Sequence, residues 1–249
     1  MKDDTQVPFG ARDVKASEKA PLVGEVFRSV ATSYDVMNDL MSGGMHRVWK
    51  SVLVDRMVPQ PGHSLIDVAG GTGDVANSFL KRADAREPRG RAPADAIVCD
   101  INEAMLAAGM GRDRASRVCG DAEALPFGDN AFSHYSIVFG IRNVTDRAAA
   151  FREAFRVLRY GGRLFVLEFS TPPQAAFRAL YNRYSDAVIP RLGEAAVGDR
   201  ESYQYLVDSI RRFPAPDALS VELQGAGFSR VSFERFTGGV AVLHMAAKI

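Results

Sequence analysis

From Ser64 onward, short apolar runs alternate with stretches whose hydrophobic residues recur at helical spacing. Residues 64–69, 96–99, 117–119, 133–139 and 163–169 read as strands, and helices are predicted over 73–82, 102–110 and 145–159. Such alternation predicts an α/β three-layer sandwich, Rossmann-like, with a mostly parallel sheet between helices. Ligands in such sheets bind beyond the carboxyl ends of the strands. After Pro214 a helix to Gly225 precedes apolar stretches at 228–236 and 240–246, separated by Gly238-Gly239. That pair marks a hairpin turn, and the two flanking strands complete a seven-stranded sheet, at least partly antiparallel.

Two segments stand outside the alternation. Residues 22–58 read as two helices broken at Ser42-Gly43-Gly44, the first aligning Leu22, Val26, Val30, Tyr34, Met37 and Met41 on one face. Residues 170–212 follow the fifth strand and hold Phe177, Tyr181, Tyr184, Tyr203, Tyr205 and Phe213, which reads as a helical insertion lidding the crevice. Residues 84–95 are rich in Pro, Arg and Ala without periodicity and are expected to form an exposed, mobile loop. The organisation expected is a flexible segment over 1–21 followed by a single domain over 22–249.

Composition narrows the class. A chain of 249 residues, 47% hydrophobic and 24% charged, can bury one sizeable core. A net charge of +1 supplies no concentrated basic face for nucleic acid. No apolar run reaches the roughly 18 residues of a membrane span, and MKDDTQVPFG lacks the character of a signal or transit peptide, so a cytoplasmic protein is expected. Cys99 and Cys119 have no ligand partner at metal spacing and are expected to be small buried residues; no metal site is indicated.

The chemistry concentrates at Asp67–Asp74, DVAGGTGD, a glycine-rich turn between two carboxylates at a strand-to-helix corner. Gly71, Gly73 and Ala76 fit the dinucleotide fingerprint, and Asp100 follows where that fingerprint expects an acid. Charge separates the candidates. A pyrophosphate would be repelled by Asp67 and Asp74, whereas the sulfonium and ammonium of S-adenosylmethionine would be attracted. Asp74 alone is explained as an ordinary helix N-terminal residue.

Asp100 ends an apolar run and is placed to accept both ribose hydroxyls of a nucleoside. Asp121 follows the third strand, where it could accept from an adenine amine while Ala122 packs on the ring; on its own such a residue is more often a turn residue. Arg142 and Asn143, after the fourth strand, face the same crevice. A guanidinium there requires a carboxylate partner or anionic charge on the substrate, and it could hold a phenolate or enolate oxygen. The plainer alternative is a surface Arg with Thr145 or Asp146 capping the next helix.

These residues belong to a longer set: FRSVATSYDVMNDLMSGGMHRVWK, DVAGGTGDVA, CDINEAML, GDAEALPF, FGIRNVTD, RVLRYGGRLFVLEFS and ESYQYLVDSI. Through them the chain, from about Val26 to Ile249, resembles the ubiquinone/menaquinone biosynthesis C-methyltransferases of the class I S-adenosylmethionine-dependent fold. The resemblance implies methylation of a ring carbon of a polyprenylated benzoquinol or demethylmenaquinol, with S-adenosylhomocysteine as the other product. It implies that Thr72, Asp100, Asp121 and Ala122 contact the cofactor, as does position 138, where Val138 replaces the family's usual serine and its hydroxyl. The 84–95 segment is longer than the family's pattern.

On this resemblance Arg142, with Asn143, is expected to stabilise the developing oxyanion. The proton acceptor is expected to be a water beside Arg142, with Tyr184, Tyr203 and Asp146 as side-chain alternatives. Tyr34, Met37, Tyr184 and Tyr203 are expected to line a groove for the polyprenyl tail. The expectation leaves room for a homodimer, for contact with other quinone-biosynthesis enzymes, and for peripheral attachment at the inner face of the cytoplasmic membrane. Two rivals stay open: a nicotinamide-dependent reductase, and a cofactor-binding scaffold without catalysis.

Overall fold

The computed structural model describes residues 5–30, 39, 42–86, 90–111, 113–188, 191, 194, 198 and 200–249, with backbone alone for 27–30. Its centre is a seven-stranded sheet in the order β5-β4-β3-β6-β7-β9-β8. The strands are β3 (Ser64–Val68), β4 (Asp95–Asp100), β5 (Ser116–Cys119), β6 (Phe132–Val138), β7 (Leu158–Phe169), β8 (Ser229–Phe236) and β9 (Ala241–Ala247). Pairings from β5 through β7 are parallel, whereas β9 runs antiparallel to both β7 and β8. A Thr237–Gly239 turn, with φ of 65° at Gly238 and 98° at Gly239, makes the reversal between β8 and β9.

Alternation along each strand feeds two cores, one per face. Leu65, Val138, Phe165, Leu167 and Phe169 face the layer holding Trp49, Leu53, Phe79 and Tyr203. Ile66, Val68, Tyr135, Ile137, Leu164 and Val166 face the layer holding Phe151, Leu158, Leu219 and Leu223. The covering helices are α2 (His46–Met57), α3 (Asp74–Asp84), α4 (Glu103–Gly109), α5 (Arg147–Val157), α6 (Ala175–Ala187), α7 (Arg200–Arg211) and α8 (Pro216–Gly225). Asn102 caps α4 by accepting from the Ala104 and Met105 N–H groups, and Asp146 caps α5 by accepting from Ala149. Crossovers from β3 diverge to β4 on one side while β6 lies on the other. The carboxyl ends of β3 and β6 therefore flank a topological switch point.

The N-terminal region differs from the expectation of a flexible segment over 1–21. β1 (Gln6–Phe9) and β2 (Arg12–Lys15) pair as an antiparallel hairpin, with Gly10 at φ +55° in the turn, and α1 (Ala16–Val30) follows directly. Strands of four residues, of which Val14 alone is buried, leave too little periodicity to be noticed. Pro21 lies inside α1 rather than before it. So near the helix start it forfeits a single bond to a carbonyl four residues back. Of the cysteines, Cys99 is buried but Cys119 is exposed, because it ends the edge strand β5.

Candidate active site

Where β3 ends, the chain passes through positive φ at Ala69 (51°), Gly71 (54°) and Gly73 (90°) before α3 begins. This corner forms the floor of a cavity of about 1160 Å³ lined by Asp67, Gly71, Thr72, Asp100, Asp121, Ala122, Val138 and Asn143 among others. Gly73 stays outside the lining and serves as the N-terminal turn residue of α3.

Asp67 is 1% exposed. Its Oδ1 accepts from the Ser136 hydroxyl at 2.6 Å, while Oδ2 is buried with no hydrogen-bond partner among the described residues. Burial lifts its pKa to about 7, partly offset by Ser136 and by the charge of Lys50. A Cβ at Gly70 would sit 2.9 Å from that same Oδ2, so the absent side chain keeps the carboxylate face open. A buried carboxylate with one oxygen left without a partner among the described residues suits a cationic ligand group. Asp100 accepts from the Gly71 and Asn102 backbone N–H groups, each at 2.9 Å, which fixes its carboxylate at the strand tip. Each oxygen keeps a lone pair for a ligand hydroxyl. Asp74, across the mouth, pairs with Lys50 of α2 at 3.3 Å.

On the other wall, Asp121 accepts from the Glu123 N–H at 2.9 Å, and Glu123 Oε1 accepts from Thr145 and Asp146 at 2.8 and 2.9 Å. These bonds tie the loop after β5 to the loop after β6. Val138 lines the cavity with an apolar side chain; the hydroxyl on this strand comes from Ser136, two residues back on the same face. Phe139 adopts φ 57°, a left-handed backbone uncommon for a bulky residue. The next residue is Gly140, at which a Cβ would lie 2.5 Å from Ala69 Cβ. The two strand-end loops therefore touch.

Arg142 is not in the cavity lining. Its Nη1 donates to Glu168 Oε1 at 2.6 Å and to the Phe139 carbonyl at 2.8 Å, and its own N–H donates to Glu168 Oε2 at 3.3 Å. Both side chains of the ion pair are 2% exposed. A guanidinium buried this deeply needs a counter-charge, and Glu168 on β7 supplies it, so Arg142 braces the loop from behind the cavity lining. Asn143, next along, does line the cavity. Its Oδ1 accepts from the Tyr205 hydroxyl of α7 at 2.9 Å, and its Nδ2 is buried without a partner among the described residues.

Tyr203 is fully buried in the core and Tyr184 packs half-buried against it. Neither lines the cavity, and Tyr34 and Met37 lie outside the described residues. The cover over the cavity comes instead from the N-terminal region: Val7 and Pro8 of β1, and Ala16, Ala20 and Gly24 along α1. Lys19 holds α1 in place by donating to the Val144 carbonyl at 2.9 Å; burial, then the charge of Arg147, lowers its pKa to about 8. A further brace is Arg117, paired with Asp113 at 3.0 Å and donating to the carbonyls of Thr72 and Gly109 at 3.3 and 2.6 Å. Ser136, Glu123, Arg117, Glu168, Lys19 and Tyr205 went unassigned in the sequence. Each acts through a partner distant along the chain, so no local spacing marks it.

Comparison with known proteins places this geometry. The ubiE/COQ5 methyltransferase family model matches residues 12–248. The ubiquinone/menaquinone biosynthesis C-methyltransferase UbiE of Cereibacter sphaeroides is 48% identical over 258 aligned positions, covering all of both chains. The protein of that name from Caulobacter vibrioides is 51% identical over 245 positions, covering 97% of each. Among solved structures, a SAM-dependent methyltransferase of Thermotoga maritima superposes with a TM-score of 0.60 at 19% identity, covering 90% of this chain and 100% of that one. A Haemonchus contortus phosphoethanolamine N-methyltransferase in complex with S-adenosylhomocysteine gives 0.56 at 14%, covering 80% and 52%. At those identities the two structures speak for the fold.

Proposed function

The chain belongs to the ubiE/COQ5 methyltransferase family and is an S-adenosylmethionine-dependent C-methyltransferase; on that premise we propose how the cavity works and that its acceptor is a polyprenylated hydroquinone of ubiquinone or menaquinone biosynthesis. The observation that carries this reading is the continuity of one cavity from the Asp67–Asp100 corner to Asn143 and the apolar cover of β1 and α1. A cationic cofactor and an apolar acceptor would meet there. Neither the reductase nor the scaffold alternative draws support from the comparisons.

When bound, S-adenosylmethionine supplies a methyl carbon that its sulfonium already makes electrophilic. The residues suited to hold it are Asp67 for the positive groups, Asp100 for the ribose hydroxyls, Thr72 at the glycine turn, Asp121 for the adenine amine, and Ala122 with Val138 for the ring. What remains for the protein is alignment and charge. Holding the reacting atoms near attack distance can supply roughly 7–11 kcal/mol of the barrier. Asn143 Nδ2 would donate to the acceptor's hydroxyl oxygen, holding the ring in line for attack and stabilising that oxygen as its proton is lost. A carbon–carbon bond forms, the carbon–sulfur bond breaks with its electron pair staying on sulfur, and the ring proton must leave. Of the three side chains considered for that proton, Asp146 alone lines the cavity, and its carboxylate takes the proton directly or through a water.

No helix among the described residues is long and apolar enough to cross a membrane. Because a polyprenyl tail partitions into lipid, we place the encounter with it at a membrane surface, through the N-terminal cover. The test is incubation of the protein with S-adenosylmethionine and short-tailed demethylated benzo- and naphthohydroquinones under reducing conditions, with products mapped by mass spectrometry. A methyl on a ring carbon is expected, and whichever ring is methylated faster identifies the acceptor. Methyl transfer to neither, by protein that still binds S-adenosylhomocysteine, would reject the acceptor class.

A further inference from the structure

We infer that Tyr205 is a positioning residue for methyl transfer: its hydroxyl sets the rotation of the Asn143 amide so that Nδ2 is presented to the acceptor oxygen, and its ring couples that amide to the N-terminal hairpin covering the cavity. The inference rests on the methyl-transfer reading above and extends it to α7, no residue of which lines the cavity.

A side-chain amide has two nearly isosteric orientations, one offering oxygen and one offering N–H groups to a given side. Here the choice is made by Tyr205, whose hydroxyl donates to Oδ1 at 2.9 Å. With the oxygen committed there, the N–H groups point elsewhere, and Nδ2 has no partner among the described residues although it is buried. Buried donors are rarely left this way unless something else satisfies them, and Asn143 lines the cavity in which an acceptor would bind. The reversed amide would aim Oδ1 at the acceptor's oxygen, where it could only accept from a hydroxyl and would repel that oxygen once ionised. Burial pushes the Tyr205 phenol up to about 12, so its proton stays on the hydroxyl that donates to the Asn143 oxygen.

The ring of Tyr205 has a second neighbour. It stacks on Phe9 at the end of β1, centroids 4.6 Å apart and planes tilted by 37°, and a Cβ at Gly10 would come within 3.1 Å of its Cδ2. Val7 and Pro8 of the same strand line the cavity. The hairpin that covers the acceptor therefore rests on the side chain that orients the acceptor's donor. Seating of the hairpin and orientation of Asn143 are linked through one ring.

Tyr205→Phe removes the hydroxyl and keeps the Phe9 contact, so it separates orientation from packing. In the hydroquinone assay it is expected to lower kcat by about tenfold, with the affinity for S-adenosylhomocysteine within twofold and an unchanged Tm. Asn143→Ala is expected to lower kcat at least as far, and adding Tyr205→Phe to it should cost nothing more, because the hydroxyl then has no amide to orient. In ¹⁵N-labelled protein, the Asn143 side-chain amide resonances should shift in Tyr205→Phe and not in Tyr184→Phe. A kcat within twofold of wild type, or losses that multiply in the double variant, would overturn the inference, as would unshifted amide resonances. The amide signal does not depend on the acceptor's identity. Wild-type protein inactive on both hydroquinones would reject the acceptor class, and the coupling of Tyr205 to Asn143 would still be decided by the resonance.

Discussion

Replacing Arg142 by alanine should damage stability before it damages chemistry. The substitution removes the guanidinium that donates to Glu168 at 2.6 Å and to the Phe139 carbonyl at 2.8 Å, in a pair whose side chains are each 2% exposed. Glu168 then keeps backbone donors alone, from residue 142 at 3.3 Å and from Phe169 at 2.9 Å. Breaking a buried pair on one side costs about 3–5 kcal/mol. For a chain of this length, at roughly 2–4 °C per kcal/mol, Tm should fall by about 6–20 °C. Burial already holds the Glu168 carboxyl above its ordinary range despite Arg142, and losing the guanidinium raises it further. A folded-state pKa above the unfolded one means the cost is borne once pH exceeds the folded value and disappears below the unfolded value. The deficit should therefore be larger at pH 8 than at pH 5. Thermal melts of wild type, Arg142→Ala and Arg142→Met/Glu168→Gln at both pH values read this directly, the double variant recovering most of the loss because no charge is left buried. A deficit under about 1 kcal/mol, or one equal at pH 5 and pH 8, would refute the assignment of Arg142 as a buried brace.

Other expectations concern the cofactor corner. Asp67, with its pKa raised to about 7, binds a cation only when ionised, so cofactor binding should release protons near and below neutral pH. Calorimetry at pH 6.5 in buffers of different ionisation enthalpy should detect that release in wild type and lose it in Asp67→Asn, together with at least tenfold of affinity. Asp100→Ala should weaken S-adenosylhomocysteine binding and also lower Tm modestly, since the backbone N–H groups of Gly71 and Asn102 lose their acceptor; unaltered affinity would contradict the ribose role. Gly140→Ala would force a Cβ to 2.5 Å from that of Ala69 and should separate the two loops, lowering cofactor affinity and kcat together. Arg117→Ala should release Thr72 and Gly109, read as faster amide exchange across 70–74 while β6 stays protected.

What could be read in advance has a physical pattern. The sheet was legible because parallel strands buried on both faces are continuous apolar runs, and Asp67 and Asp100 because they lie at or next to the ends of such runs. The sign of charge at Asp67 argued for a cationic ligand before any geometry was known. Arg142 was singled out without its counter-charge, since Glu168 lies 26 residues on and nothing local marks it as buried. Tyr205 stood among six aromatics from Phe177 to Phe213, undistinguished until the fold brought it to Asn143, 62 positions away. The hairpin was missed because its short strands expose most of their side chains. Residues of β1 and α1 line the cavity whereas Tyr184 and Tyr203 do not, and Tyr34 and Met37 lie outside the described residues.

The reversal at the far edge of the sheet bears on how the protein is made. β8 is synthesised before β9, yet it reaches the sheet only through β9, which lies between it and β7. On a ribosome the parallel strands can assemble as they emerge, while Ser229–Phe236 waits without a neighbour and β7 keeps an open rim. Through that interval the nascent chain offers two unpaired strands to any other extended polypeptide. Chaperone dependence and truncation-induced aggregation should therefore trace to these strands rather than to the half of the sheet that holds the cofactor corner.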